Sequence, residues 1–271
     1  MKIISVTGYK KTGKTTLVEK LVNALKKHGR VGTIKHLPEH DINEKESDTW
    51  KHAQAGANVV VAVTEHELVK FSRNNDLESA LDELANAGMD FAVVEGFKNS
   101  KLPKIVLGDV EVTEIVKRLD SCESANIDEL INIILVQPEF HTLDSLLEKL
   151  KRSISIDKAG AIGTFTGIVR GLTDKTRTEF LEFESHGELA RKKMDEICRQ
   201  LKKKEGIVDV VMHHRIGIIP RGGDIVYIAV AAGHREELFP VLREAIERLK
   251  EQVPIWKKEH TIKGDWWVHD V

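Results

Sequence analysis

The chain contains 271 residues, of which 41% are hydrophobic and 31% are charged, and its 41 basic and 43 acidic side chains give a net charge of −2. This length favours two compact domains, and the balanced charge of both halves excludes a general nucleic-acid-binding protein, which needs a basic excess. Every apolar stretch falls short of the roughly 18 residues that span a bilayer, and two widely separated cysteines exclude a disulfide framework. We therefore expect a soluble cytoplasmic protein that binds neither nucleic acid nor membranes.

The first half of the chain alternates strand-like and helix-like patterns. Residues 2–7 predict a β-strand, and the apolar spacing between 15 and 28 predicts a helix. The other predicted elements of this half are strands at 31–35, 58–64, 91–94 and 105–107 and helices at 77–87 and 128–135. Because 58–64 and 91–94 are continuous apolar runs, we interpret both as strands buried on both faces of a parallel sheet. The alternation predicts an α/β domain with a mostly parallel sheet over residues 1–137.

The second half, residues 138–271, shows strands in pairs and no repeated strand–helix–strand unit. Its pattern predicts helices at 142–150, 187–204 and 235–252 and strands at 159–169, 179–185, 208–216 and 224–232. This arrangement is typical of an α+β domain.

A phosphate-binding loop follows the first predicted strand. The segment from Gly8 to Thr15 fits the pattern G-x-x-x-x-G-K-[ST] and lies between a buried strand and a helix. Glycines let backbone N–H groups approach phosphate oxygens, and the N-terminus of the helix adds partial positive charge. The sequence therefore predicts a P-loop NTPase domain. Its predicted nucleotide-binding residues are Gly8, Lys10, Lys11, Thr12, Gly13, Lys14, Thr15 and Thr16.

A P-loop NTPase also needs groups that hold Mg²⁺. The Thr15 hydroxyl is the first candidate, and Glu95, which ends the predicted strand at 91–94, is the second. Asp48 lies in a polar stretch and is a third candidate. The alternatives are that Glu95 is a solvated carboxylate at a strand end and that Asp48 is simple surface charge. The sequence contains no Asn-Lys-x-Asp segment, so it gives no guanine specificity by that route.

Several segments of the first half together resemble the molybdopterin-guanine dinucleotide biosynthesis protein B family. They are Gly8–Thr16, Ile34-Lys35-His36 with His40 and Asp41, Asp48-Thr49, Ala55-Gly56-Ala57 and Val94-Glu95-Gly96-Phe97-Lys98. The resemblance implies GTP binding with Mg²⁺, slow hydrolysis and dimerisation, in support of attaching a nucleotide to molybdopterin. It also implies a guanylyltransferase of the same pathway as a partner. Lys35 and His36 then lie near the nucleotide or a dimer contact, or they are surface polar residues.

Cationic residues of the second half recur where predicted elements end. Strand and helix ends can bring such groups into one pocket, where arginine offers a bidentate fork to a phosphate and lysine a point charge. They are Arg170, His214-Arg215, His234-Arg235, Lys250 and Lys257-Lys258. The alternative for each one alone is a charge-rich surface.

The order of these segments resembles the catalytic large subunit of molybdopterin synthase. The segments are Phe165–Arg170, His214–Gly217, Gly223-Asp224, His234-Arg235, Leu249-Lys250, Pro254–Glu259 and Gly264–Val268. The resemblance implies an α/β-hammerhead-type fold and a homodimer with a ubiquitin-like sulfur-carrier subunit at each end. The carrier's thiocarboxylate donates sulfur to cyclic pyranopterin monophosphate, with no cofactor. Trp266 and a chain end at Val271 depart from the family pattern.

The same resemblance implies roles for individual residues. Lys250 is the catalytic candidate, and Lys257 assists it. The substrate-binding candidates are Ile168, Val169, Arg170, His234, Arg235, Lys258 and Glu259. His213 is expected to be structural, because His214 is the one that matches the pattern.

Both resemblances point to molybdenum cofactor biosynthesis, so we interpret the chain as a fusion of a GTP-binding domain and a molybdopterin synthase catalytic domain. Two alternatives stay open. The first domain is a nucleotide-dependent assembly module without hydrolysis, or the second is a scaffold for the carrier without sulfur transfer.

Overall fold

The computed structural model describes residues 1–38, 41–153, 155–173, 176–262 and 264–268. His40 and Val271, both named in the sequence analysis, lie outside these ranges. The chain divides into two compact units, Met1–Phe140 and His141–Val271. Within the described ranges, no helix is long and apolar enough to cross a membrane.

The first unit alternates strands and helices. Its strands are β1 (Lys2–Gly8), β2 (Val31–Lys35), β3 (Val59–Val63), β4 (Leu68–Ser72), β5 (Phe91–Glu95), β6 (Lys104–Leu107) and β7 (Ile115–Leu119). Its helices are α1 (Lys14–Leu25), α2 (Asp48–Gln54), α3 (Leu77–Asn86) and α4 (Ile127–Leu135).

Five of these strands form one parallel sheet in the order β2-β5-β1-β6-β7. Apolar residues of α1 and α4, such as Leu21 and Ile134, pack with Ile4 in one core cluster. The second cluster of the unit combines Leu81 of α3 with Val94 of β5. Helices therefore pack on the sheet in both core clusters. The predicted α/β domain with a mostly parallel sheet is confirmed.

The order of the strands decides where the site of this unit lies. Strands β1 and β5 are parallel neighbours, and Val6 is paired with Glu95. Their carboxyl ends meet at the same edge of the sheet, as ligand-binding strands of open α/β sheets do. The loop after β1 and the last residue of β5 are therefore adjacent.

The interpretation of 58–64 as a strand of the parallel sheet is wrong. Strand β3 pairs antiparallel with β4, which the sequence analysis did not predict, in a separate two-stranded sheet. Val60 is buried, but Val59 and Val61 are about half exposed and Val63 is 75% exposed. A run of valines shows no polar alternation, so its pattern did not reveal that only one face of the strand is covered.

The second unit combines antiparallel strands with helices. Its strands are β8 (Ala161–Ile168), β9 (Leu172–Thr173), β10 (Thr176–Ser185), β11 (Ile207–His214), β12 (Gly217–Pro220), β13 (Asp224–Ala232), β14 (Ile255–Thr261) and β15 (Gly264–Val268). Its helices are α5 (Leu143–Lys151), α6 (Gly187–Leu201) and α7 (Arg235–Gln252), with a short 3₁₀ helix at Ile156–Lys158.

These strands form two antiparallel sheets. One has the order β11-β13-β8, and the other has the order β12-β10-β14-β15 with β9 beside β10. Apolar residues of α6 and α7, including Ile197 and Val241, pack on the first sheet around Ile228 and Val230. The predicted α+β class of this unit is confirmed. Strands β14 and β15 were not predicted, because Lys, Glu and His dominate β14.

Candidate functional sites

A cavity of about 470 Å³ lies where β1 and β5 end in the first unit. The loop after β1, the end of β2 and the end of β5 form its wall. Its lining residues are Lys10, Lys11, Gly13, Lys14, Thr15, Thr16, Lys35, His36, Leu37, Pro38 and Glu95. The structure thus places most of the predicted nucleotide-binding residues together with Glu95.

Glycines shape the loop that borders this cavity. Gly13 has φ +83° and precedes α1, and a Cβ atom there would lie 2.9 Å from Cβ of Cys122. A Cβ atom on Gly8 would lie 2.9 Å from the carbonyl oxygen of Leu107. Gly13 occupies the N-cap of α1 and has no side chain to satisfy the first amides of the helix. These amides suit an anion.

Charged groups meet beside the loop. The Thr15 hydroxyl lies 3.1 and 3.2 Å from the two carboxylate oxygens of Glu95. The ammonium of Lys35 lies 3.4 Å from Glu95 Oε1 and 3.5 Å from Thr15 Oγ1. Lys14 donates to the carbonyl oxygen of Tyr9. Burial lowers the pKa of Lys14, the charge of Glu95 opposes that shift, and Lys35 adds to it.

This donor set fits a nucleotide phosphate with Mg²⁺. A hydroxyl and a carboxylate within 3.2 Å of each other are oxygen ligands of the kind that Mg²⁺ takes. The lysines and the amides of α1 present only donors to phosphate oxygens.

Asp48 lies away from the cavity, whereas the segment after β2 borders it. Asp48 is the first residue of α2, its side chain is 90% exposed, and it pairs with Lys51 at 3.5 Å. It does not line the cavity. His36 does, and its ring stacks on Phe97 with centroids 4.3 Å apart. The structure therefore supports proximity to the loop for Lys35 and His36 but not for Asp48.

A second cavity, of about 600 Å³, lies in the second unit where the two sheets meet the last turns of α7. Its apolar wall includes three aromatic side chains, Phe165, Phe183 and Trp256. Its polar lining residues are Arg170, Thr178, His214, Lys250, Lys257 and Glu259. Ile168 also borders it. A flat ring compound with an anionic group would suit such a wall.

Alternation along β14 selects which charges enter this cavity. Lys257 is paired with Phe183 and Glu259 with Leu181, on one face of the sheet. Lys258 points to the opposite face, as the period of two requires, and lies 3.6 Å from Asp265. The structure therefore brings Lys257 and Glu259 into the cavity and leaves Lys258 outside it.

Glu259 is held by a partner that the sequence analysis missed. The buried carboxylate accepts a hydrogen bond from the buried Thr178 hydroxyl. Thr178 and Phe183 both line the cavity. Neither stands out in the sequence, because a threonine and a phenylalanine on a strand are ordinary residues.

His214 is, beside Glu259, a second buried titratable residue of the cavity wall. Its Nδ1 lies 2.7 Å from the carbonyl oxygen of Arg215, and Phe183 contacts the ring edge-on at 4.9 Å between centroids. The pKa of His214 is lowered to about 4, chiefly by burial; the hydrogen bond to Arg215 opposes this shift, and the charge of Lys257 adds to it. The neighbouring His213 stacks on Tyr227, contacts the ring of His141 at a tilted angle, and does not line the cavity.

Besides Lys258, three other predicted substrate-binding residues lie outside the cavity. Val169 is buried in a core cluster, and its amide donates to the carbonyl oxygen of Gly223. His234 and Arg235 are exposed at the start of α7, whereas Lys250 lies in its last turn. Fifteen residues of helix separate Arg235 from Lys250, or about 22 Å along the axis. A single chain therefore does not bring this pair to the cavity.

The lowered pKa of His214 predicts a loss of stability in acid. Below pH 6.5 the unfolded chain binds a proton at this residue, whereas the folded chain does so only near pH 4, so acidification favours unfolding. Relative to His214→Gln, the wild type should lose about 3 kcal/mol of unfolding free energy between pH 7 and pH 4. Urea unfolding at several pH values, followed by tryptophan fluorescence, measures the difference. A difference that is independent of pH would contradict the burial of a neutral imidazole.

Two family matches divide the chain in the order of its two units. Residues 3–127 match the family described as molybdopterin guanine dinucleotide synthesis protein B (MobB), and residues 140–252 match the family described as MoaE protein. Solved structures with local likeness include molybdopterin synthase from Staphylococcus aureus, 38% identical over 42% of this chain and 83% of that chain, with a TM-score of 0.40. A MobB homologue from Bacillus stearothermophilus is 25% identical over 51% and 100%, with a TM-score of 0.39.

Two relatives show how far along the chain the sequence similarity extends. The molybdopterin synthase catalytic subunit of Halalkalibacterium halodurans is 44% identical over 112 residues, which are 41% of this chain and 72% of the relative. The "Probable molybdopterin synthase" of Haloferax volcanii is 36% identical over 272 residues, and the match covers 100% of both chains. Because this likeness runs through both units from end to end, the chain belongs to the molybdopterin synthase family, in a form in which a MobB domain precedes the MoaE domain.

Proposed function

We propose that the second unit transfers sulfur from a thiocarboxylated ubiquitin-like carrier to cyclic pyranopterin monophosphate and so forms molybdopterin. The first unit binds GTP with Mg²⁺, hydrolyses it slowly and assists formation of the guanine dinucleotide cofactor with a guanylyltransferase of the same pathway. The observation that supports the sulfur transfer best is the convergence of Arg170, Lys250, Lys257 and Glu259 on one cavity of a MoaE domain.

The cavity supplies the groups that this transfer needs. The carrier's thiocarboxylate sulfur bonds to a pterin carbon as a C–O bond of that carbon breaks and the oxygen leaves, either on the phosphate or as water. Water then cleaves the bond between that sulfur and the carrier's acyl carbon. The carrier leaves as a carboxylate, and the sulfur stays on the pterin. Negative charge develops on the departing oxygen in the first step and on the acyl oxygen when water attacks the thioester, and Lys250 and Lys257 stabilise it. Arg170 holds the substrate phosphate. We expect no cofactor in this transfer.

His234 and Arg235 fit the proposal if the MoaE domain acts as a homodimer. They lie about 22 Å from Lys250 along α7, so they cannot reach the cavity of their own chain. In a dimer with twofold symmetry, the same residues of the partner protomer can complete the site. We propose that each cavity uses Lys250 of one chain and the His234-Arg235 pair of the other.

In the first unit, Lys14 and the amides at the start of α1 hold the phosphates of the nucleotide. Thr15 and Glu95 hold Mg²⁺, which neutralises phosphate charge when it is bound. Asp48, which lies outside the cavity and pairs with Lys51, has no part in this proposal.

Lys14→Ala should weaken nucleotide binding at least tenfold while sulfur transfer stays near normal. A charge-assisted contact to phosphate is worth about 1.5–3 kcal/mol, and the two units have separate cores. Titration with GTP and Mg²⁺ and a molybdopterin assay on the same protein test this. Lys26→Ala, at the far end of α1, is the matched control. Loss of both activities in Lys14→Ala would show that the units are coupled.

Lys250→Ala should fold and bind the carrier but form molybdopterin at least about a hundredfold more slowly, the effect of removing one group that stabilises transition-state charge. Lys250→Arg should restore little, because a guanidinium has a different shape and does not give up its proton. Initial rates with thiocarboxylated carrier measure both, and Lys192→Ala on the exposed face of α6 is the control. Near-normal turnover by folded Lys250→Ala would move the catalytic role to Lys257.

Mixing two inactive variants tests the shared site. In dimers of Arg235→Ala with Lys250→Ala, one of the two cavities combines an intact Lys250 with an intact Arg235. Random assortment makes half of the dimers mixed, so activity should recover to about a quarter of the wild-type value. Co-expression with two affinity tags isolates the mixed dimers, which should show about half of the wild-type activity because one of their two cavities is intact. Their inactivity would show that Arg235 does not serve the partner's cavity.

A further inference from the structure

The cavity of the second unit offers its ligand many donors and few acceptors. Arg170, Lys250 and Lys257 carry only hydrogen-bond donors. Glu259 is an acceptor, but one of its oxygens already accepts from Thr178. The imidazole ring of His214, which also lines the cavity, can accept a hydrogen bond as well.

The structure fixes which nitrogen of His214 is the acceptor. A carbonyl oxygen can only accept, so Nδ1, 2.7 Å from the oxygen of Arg215, is protonated. Nε2 of the neutral ring then has a lone pair. The lowered pKa of His214 keeps the imidazole neutral around pH 7, and contact with Phe183 restricts its rotation.

A pyranopterin needs such a group. Its phosphate accepts hydrogen bonds, but the edge of its aminopyrimidinone ring carries N–H donors, which the cations of the cavity cannot satisfy. A buried donor without a partner reduces affinity. A neutral acceptor in an apolar wall satisfies that donor without attracting a further cation.

We propose that His214 is a specificity-determining residue of the cavity and that its Nε2 accepts a hydrogen bond from a ring N–H of the pterin. This inference rests on the proposed function of the second unit. It assigns to His214 a contact with the ring, apart from the phosphate and the reacting carbons.

Two substitutions separate ligand recognition from a structural role. His214→Asn places an amide near the position of Nδ1, where it can donate to Arg215, but it leaves no acceptor at the position of Nε2. His214→Gln reaches the position of Nε2 with an amide oxygen and gives up the bond to Arg215. A purely structural role predicts that His214→Gln is the worse variant, whereas recognition of the ring predicts that His214→Asn is.

The experiment measures equilibrium binding of cyclic pyranopterin monophosphate to the full chain without carrier, from quenching of tryptophan fluorescence, since Trp256 lines the cavity. We expect the Kd to rise about tenfold in His214→Asn and less than about threefold in His214→Gln. Inorganic phosphate, which has no ring, should compete with an unchanged inhibition constant in both variants. Unfolding midpoints identify any variant that does not fold.

Each other result has a definite meaning. Equal weakening in both variants, or greater weakening in His214→Gln, would assign His214 a structural role and overturn the inference. Unchanged binding in both would do the same. Failure of the wild type to bind the pyranopterin and to form molybdopterin would instead count against the proposed function.

Discussion

The antiparallel pairing of β14 with β10 determines the chemistry of the second unit. It aligns Lys257 and Glu259 with the apolar residues Phe183 and Leu181 on one face of the sheet, so two charges enter a largely apolar cavity. Such charges need partners, and Thr178 provides one for Glu259. The same register sends Lys258 to the other face, next to Asp265. A slip of one residue would exchange the two faces and remove both groups from the cavity.

In the first unit, parallel pairing of neighbouring strands brings residues that are distant in sequence to one site. The neighbours β1 and β5 bring Thr15 to Glu95, although 80 residues separate them in sequence. Lys35, at the end of β2, joins them because β2 is the other neighbour of β5. Three consecutive strands of the sheet thus each contribute one polar group or loop to a single edge.

Local patterns predicted the parts of both sites that depend on local geometry. The phosphate loop, Glu95 at a strand end and the helical position of Lys250 all follow from short segments whose geometry is set by a few neighbours in sequence. That Lys257 and Glu259 enter the cavity while Lys258 does not can be predicted only if 255–261 is known to be a strand. The polar composition of this segment does not indicate a strand. The exposure of β3 and the surface position of Asp48 depend on which elements cover them, which no short segment specifies. The separation of His234 and Arg235 from Lys250 already follows from the helix predicted at 235–252, because the two ends of one helix cannot line one pocket.

Helix α7 has a geometric role beyond packing on its sheet. His234 and Arg235 lie at its start and Lys250 in its last turn, so in the proposed dimer one rigid rod links the substrate contacts of one cavity to the catalytic group of the other. Adding a residue to the middle of this rod would lengthen it by about 1.5 Å and rotate its ends relative to each other by about 100°. In that proposed dimer, the number of residues in α7 sets the spacing between the two reaction centres, so the length of the helix is as constrained as its chemical groups.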